Sequence, residues 1–137
     1  MAAHDTLPVA FRHGDYHPLN VIWQDDAIAA VIDREFCGIK PDIYDAASLV
    51  GCVGMEHPSG LVDELALSFI SGMRRKSIIS PQSWNLFVEF IIALRFAWLA
   101  EWLRKKDREM IELEVTYMNL LMGNMDTLKA AWGVPDS

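Results

Sequence analysis

Hydrophobic and polar positions change rhythm along the chain. Val9 to Arg12 reads as a short strand running into a loop rich in His, Gly, Asp and Pro. Val21-Ile22-Trp23 and Ala29-Ala30-Val31-Ile32 are short apolar, partly β-branched runs. Gln24-Asp25-Asp26-Ala27 between them carries turn chemistry, so the pair predicts a β-hairpin. Residues 34–41 read as a loop containing Gly38 and Pro41, after which Asp42 is placed to cap a helix reaching about Val53. Gly51, Gly54, Pro58 and Gly60 mark the next break.

From there the period becomes helical. Val62, Leu65, Ala66, Phe69, Ile70 and Met73 recur at i, i+3, i+4 spacing, and Arg74, Arg75 and Lys76 suit the end of that helix. Ser80-Pro81 is a good N-cap and first-turn pair. The helix it opens is expected to run to about Lys106 and, being apolar on nearly every side, to lie centrally. A last helix is expected over 108–132, with Ile111, Tyr117, Met118, Leu121, Met125 and Leu128 on one side and Gly133 and Pro135 stopping it. The expected fold class is α+β and mostly helical: a β-hairpin region followed by three to four helices, within a single domain over 1–137.

Composition narrows this picture. With 137 residues, 52% of them hydrophobic, the chain can bury a core without staples, and a mostly disordered chain is excluded. Cys37 and Cys52 are too few for a disulfide framework. A net charge of −7 argues against a nucleic-acid partner. Glu89, Arg95 and Glu101 interrupt the most apolar stretch, which argues against a membrane span, and no export signal is present. The expected location is the cytoplasm. The acidic excess lies in residues 1–72, which hold 3 Lys/Arg and 11 Asp/Glu.

That half also carries the informative segment, His13-Gly14-Asp15-Tyr16-His17-Pro18-Leu19-Asn20-Val21-Ile22. Asp15 sits in a loop just after a strand. Asn20 opens the next strand, and Asp33 ends the hairpin's second strand. A hairpin brings its two ends together, so Asn20 and Asp33 should be close, with Asp15 nearby. Two carboxylates and a carboxamide offer hard oxygen ligands of the kind that suit Mg²⁺ beside phosphates. The same layout serves phosphoryl transfer, where a loop Asp accepts the hydroxyl proton while an Asn and a second Asp hold metal. His13-x-Asp15-x-His17 also permits a zinc site and a metal-dependent hydrolase, although Gly14 and Pro18 argue against a regular strand there.

His13-Gly14-Asp15-x-His17-Pro18-x-Asn20-Val21, followed by Val31-Ile32-Asp33-x-Glu35 and by Lys40-Pro41-Asp42-Ile43-Tyr44-Asp45-Ala46-Ala47, resembles the aminoglycoside phosphotransferase and choline kinase superfamily. These are small-molecule kinases with a protein-kinase-like fold. The resemblance covers about residues 9–50, and the helical remainder is compatible with part of the C-terminal lobe. It implies Asp15 as catalytic base, Asn20 and Asp33 as Mg²⁺ ligands, and a phosphate or substrate contact for His17. His13 and Asp45 would support the loop, and Glu35 has no defined role. It also implies ATP as phosphate donor and a hydroxyl-bearing small molecule as acceptor.

The sequence departs from the family at two points. Arg34 stands where an aromatic residue is common. Only twelve residues precede His13, and no glycine-rich loop with a strand and lysine behind it occurs, so a partial lobe without its own complete ATP site is expected. The alternative is a non-catalytic relative whose exposed helical surface drives homodimer formation.

Overall fold

The computed structural model describes residues 6–135. It is α+β and mostly helical. Strand β1 (Val9–Arg12) leads through the His-Gly-Asp loop and a 3₁₀ turn, Pro18–Asn20, into β2 (Val21–Gln24). The hairpin β2–β3 (Ala27–Val31) turns on Asp25 and Asp26, with Asp25 left-handed at φ 54°. Aspartate tolerates that region because its short side chain can bond locally. Val21 pairs with Val31, as the apolar runs predict.

The stretch 34–41 is not wholly loop. Gly38–Pro41 forms β4, antiparallel to β1 with Arg12 opposite Gly38 and Val9 opposite Pro41. A four-residue strand between a glycine and a proline carries no alternation to read, and its partner is distant in sequence. Asp42 also differs from expectation. Helix α1 (Tyr44–Glu56) begins after Ile43 without a side-chain cap. Asp42 is buried instead, its carboxylate accepting hydrogen bonds from the Ser80 N–H at 2.8 Å and from the Ser83 hydroxyl. It thereby ties the end of the strand region to the first turn of α3.

A second 3₁₀ turn, Pro58–Val62, precedes α2 (Glu64–Arg75). Ser80 caps α3 (Pro81–Trp84) as expected, by accepting from the Ser83 N–H. That helix stops after one turn, and α4 (Phe87–Lys105) starts afresh beyond Asn85 and Leu86. The last helix is likewise two: α5 (Arg108–Gly123) and α6 (Met125–Trp132), separated at Asn124. The described residues therefore hold more helices than expected, because apolar spacing continues across both breaks and hides them.

Phe87, Val88 and Ile91 of α4 are fully buried among Val50, Leu61, Ile70, Tyr117, Leu121 and Trp132, with the Phe87 ring between Trp84 and Trp132. Only the first half of α4 is central. Phe96, Trp98 and Leu103 farther along are exposed. Arg95 stands at the changeover. It pairs in bidentate fashion with the fully buried Glu114 of α5, at 2.5 and 2.8 Å. No described helix is long and apolar enough to cross a membrane.

Candidate active site

The His-Gly-Asp loop is held from three sides. Gly14 lies at φ +87°, where a Cβ would also sit 2.2 Å from the Phe36 carbonyl oxygen, so only glycine fits. Asp45, in the first turn of α1, accepts from the backbone N–H groups of His13 at 2.8 Å and Gly14 at 2.9 Å. The His13 ring accepts from the Asp15 N–H through Nδ1 (3.3 Å) and lies 2.8 Å from the Ile32 carbonyl through Nε2. An imidazole with one nitrogen accepting carries its proton on the other, so Nε2 donates to Ile32. His13 thus joins the loop to the end of β3.

These braces converge on Asn20, which is 6% exposed. Its Nδ2 donates to the Asp15 carbonyl at 2.9 Å and faces Asp15 Oδ2 and His17 Nε2, each at 3.3 Å. His17 Nε2 lies 3.6 Å from Asp15 Oδ2. Asp15, His17 and Asn20 therefore form one half-buried cluster. The Asn20 carbonyl accepts from the Ile32 N–H at 2.9 Å, so Asp33 is the next residue along from a backbone partner of Asn20. Asp33 is left-handed at φ 60° and exposed. Aspartate tolerates this region, as at Asp25. Glu35 is exposed in the turn that follows and joins none of these hydrogen bonds.

The amide nitrogen of Asn20 is committed to Asp15 and His17, which leaves Oδ1 as its remaining donor atom toward a cation. Asn20 Oδ1 and the Asp33 carboxylate are both hard oxygens, the donor type that suits Mg²⁺ beside phosphates and water. A His13–Asp15–His17 zinc site does not form. Both His13 nitrogens are engaged elsewhere, and among the described residues no group of three or more His, Cys, Asp or Glu gathers as ligands.

A family model described as the phosphotransferase enzyme family matches residues 1–76, more than half of the chain. The chain belongs to the phosphotransferase enzyme family. Nothing among curated proteins or solved structures matches it. The matched region of this phosphotransferase-family chain contains the loop, the hairpin, α1 and α2, and it ends where α2 ends.

Beside Asp15 a cleft of about 240 Å³ runs between α1 and α4. One stripe of α1 faces it through Tyr44, Ala47, Ser48 and Gly51, and one stripe of α4 through Leu94, Ala97, Trp98 and Glu101. Arg95 also borders it, and Phe36 closes one side. Burial opposes the Arg95 charge, but the hydrogen bonds and attraction of Glu114 prevail and raise its pKa. Burial pushes the Cys52 thiol up against the opposing influence of Arg95. At the mouth, hydrogen bonds from Arg104 and Lys105 pull the Glu101 carboxyl down to about 2. The Tyr44 hydroxyl is raised by burial, then by the Asp45 and Asp15 carboxylates. No motif in the sequence assigns these residues to a cleft. Their one legible trace was the i, i+3, i+4, i+7 spacing of Tyr44, Ala47, Ser48 and Gly51, a narrow face of mostly small side chains.

Proposed function

We propose that this chain carries the proton-accepting and metal-holding part of a small-molecule kinase, as part of a C-terminal lobe of the protein-kinase-like fold. The acceptor hydroxyl oxygen attacks the γ-phosphorus of ATP while its proton passes to the Asp15 carboxylate. The bond from that phosphorus to the bridging oxygen breaks, and ADP leaves. The observation that carries this reading is the convergence of Asp15, His17 and Asn20, with Asp33 one residue beyond the Ile32–Asn20 hydrogen bond.

Each residue has a distinct task in it. Asn20 Nδ2 fixes the Asp15 backbone and leaves the outer face of the carboxylate to the hydroxyl. His17, beside that carboxylate, contacts the transferred phosphoryl group. Asp45 and His13 hold the loop between α1 and β3. Asn20 Oδ1 and Asp33 would hold Mg²⁺, which when bound neutralises phosphate charge.

Transfer of γ-phosphate from Mg-ATP to hydroxyl acceptors, measured for wild type and Asp15→Asn, tests the base. Loss of a general base lowers the rate by about 10²–10⁴-fold. Unchanged transfer removes Asp15 from that role. Mn²⁺ added to the labelled protein should broaden the NMR signals of Asn20 and Asp33 first, and uniform broadening would remove the metal assignment.

A second reading rests on the exposed apolar side chains of the strand region, among them Phe11, Leu19, Trp23 and Ile39. Exposed apolar side chains favour association, so this reading makes the protein a homodimer without catalysis. A monomeric mass in solution would remove it.

A further inference from the structure

We propose that the cleft beside Asp15 takes a compact, uncharged alcohol with an aromatic or apolar body, and that it rejects polycationic acceptors. The inference rests on the phosphoryl-transfer reading and adds the acceptor class to it. Size is the first argument. Small-molecule pockets commonly span about 300–1,000 Å³, and this cleft of about 240 Å³ lies below that range. Ala47, Gly51 and Ala97 give it the shape of a shallow trough between two helices rather than an open basin.

Wall chemistry is the second argument. Phe36 and Trp98 border the trough and remain 55% and 38% exposed, so their ring surfaces are accessible to a ligand. Such rings favour another aromatic or apolar group, with additional gain from stacked or edge contacts. Ser48 supplies a hydroxyl on the α1 side, and Asp15 lines the same trough.

Charge is the third argument, and it excludes the alternative. A site for a polycation needs carboxylates without partners. Of the two carboxylates that line the cleft, Asp15 and Glu101, the second is already engaged. Glu101 is bound by Arg104 at 2.7 Å and Lys105 at 3.2 Å. Glu114 is consumed by Arg95, and Asp45 by two backbone N–H groups. The aromatic route to a cation is partly taken as well, because Lys40 Nζ already stands 5.0 Å from the centre of the Tyr44 ring. Lys40, Arg95, Arg104 and Lys105 balance Asp15, Asp45, Glu101 and Glu114.

The test is a titration of the full chain without nucleotide, followed by NMR and by tryptophan fluorescence. The probes are 2-phenylethanol as the uncharged aryl alcohol and kanamycin as the polycation. Saturable binding of 2-phenylethanol is expected, with the largest shifts at Trp98 and Tyr44. Trp98→Ala should weaken it by about tenfold, as expected for loss of one ring contact and its buried area. Ser48→Leu, which fills the trough, should abolish it while the melting temperature holds. Saturable kanamycin binding, or no saturable 2-phenylethanol binding, overturns the inference. A parallel assay with Mg-ATP separates this outcome from the fate of the phosphoryl-transfer reading. Binding of 2-phenylethanol with uniform Mn²⁺ broadening in place of broadening at Asn20 and Asp33 removes that reading and leaves the cleft assignment. Transfer to kanamycin in place of 2-phenylethanol keeps the reading and removes the inference.

Discussion

The strand region and the helical region of this protein are built on opposite principles. From Phe87 to Trp132 the helices bury large apolar side chains around one another, and the buried charge pair Arg95–Glu114 is fully matched. The β2–β3 hairpin leaves Trp23 61% exposed, and Phe11 on β1 and Leu19 before β2 are more exposed still. What holds the strand region is polar. Asp45 reaches back from α1 to two loop N–H groups, Asp42 reaches across to Ser80 and Ser83, and Arg12 donates to the Asp42 carbonyl at 2.9 Å. Stability is thus concentrated in the helices and the candidate chemistry in the strands, and a few aspartates connect the two. A substitution in the core should act on folding, whereas one among the connecting aspartates should act on activity first.

The largest effect on stability is expected at the buried pair. Glu114→Gln leaves the Arg95 charge uncompensated in the interior, a change that costs about 3–5 kcal/mol. Denaturant unfolding should show it as a fall in midpoint at unchanged slope. The double replacement Arg95→Met with Glu114→Leu should recover most of the loss, because apolar residues of similar size fill such sites as well as ions do. If the single variant were as stable as wild type, the contrast between the two regions would be weaker than the burial implies.

Asp45→Ala should do the reverse. It releases the His13 and Gly14 N–H groups, at a cost of about 1–3 kcal/mol for partly buried donors left unmade. Yet it loosens the loop that aims Asp15, so transfer should fall by a larger factor than stability explains. The check is a rate measured well below the melting temperature. Parallel loss of both would make Asp45 part of the core rather than a connection to it.

How far each region could be read from the sequence follows the same division. The loop 13–20 and the hairpin were legible because their signals are local. Turn residues sit between short apolar runs, and a spaced set of His, Asp and Asn has few other uses. The Ser80 cap and the stop at Gly133, left-handed at φ 66°, were legible for the same reason. Strand β4 was not, because it exists only through its pairing with β1. The breaks at Asn85-Leu86 and Asn124 were not, because tertiary contacts on either side keep the apolar period in step. The Arg95–Glu114 pair was not, because it joins side chains of two different helices. Asp42 carried the residue type of a helix cap, but its position lets it reach α3, and that long-range bond prevailed over the local one.

Alkaline titration should separate the helical core from the strand region more gently. Burial raises the Tyr117 pKa above its ordinary value of 10.0 against the opposing effect of Arg95, and its hydroxyl donates to the Gly51 carbonyl at 2.7 Å. Tyr44 is raised by burial and by Asp45 and Asp15. A pKa raised on folding gives a contribution that is full below the unfolded value of 10.0 and is lost as pH rises through the folded one. The melting temperature should therefore fall above pH 10. Tyr117→Phe should be less stable at neutral pH and should show a shallower alkaline fall. An unaltered slope would assign the alkaline loss to other groups.

The smallest expected effect is the most direct check on the hairpin. Trp23 is large and apolar, and in a core its truncation would cost about 3–5 kcal/mol. Here it stands over an apolar hollow between the hairpin and helices α1 and α2, mostly open to water. Trp23→Ser should then change the unfolding free energy by no more than about 0.5 kcal/mol, as for other exposed substitutions. The Asn20–Ile32 hydrogen bond and the Val21–Val31 pairing lie at the far end of the hairpin from Trp23, so the Mn²⁺ broadening at Asn20 and Asp33 should persist. A loss of several kcal/mol would mean that the strand region draws its stability from apolar burial after all. Broadening lost with stability kept would mean that the metal-holding end of the hairpin depends on its turn end, and the polar bonds alone would not account for the site.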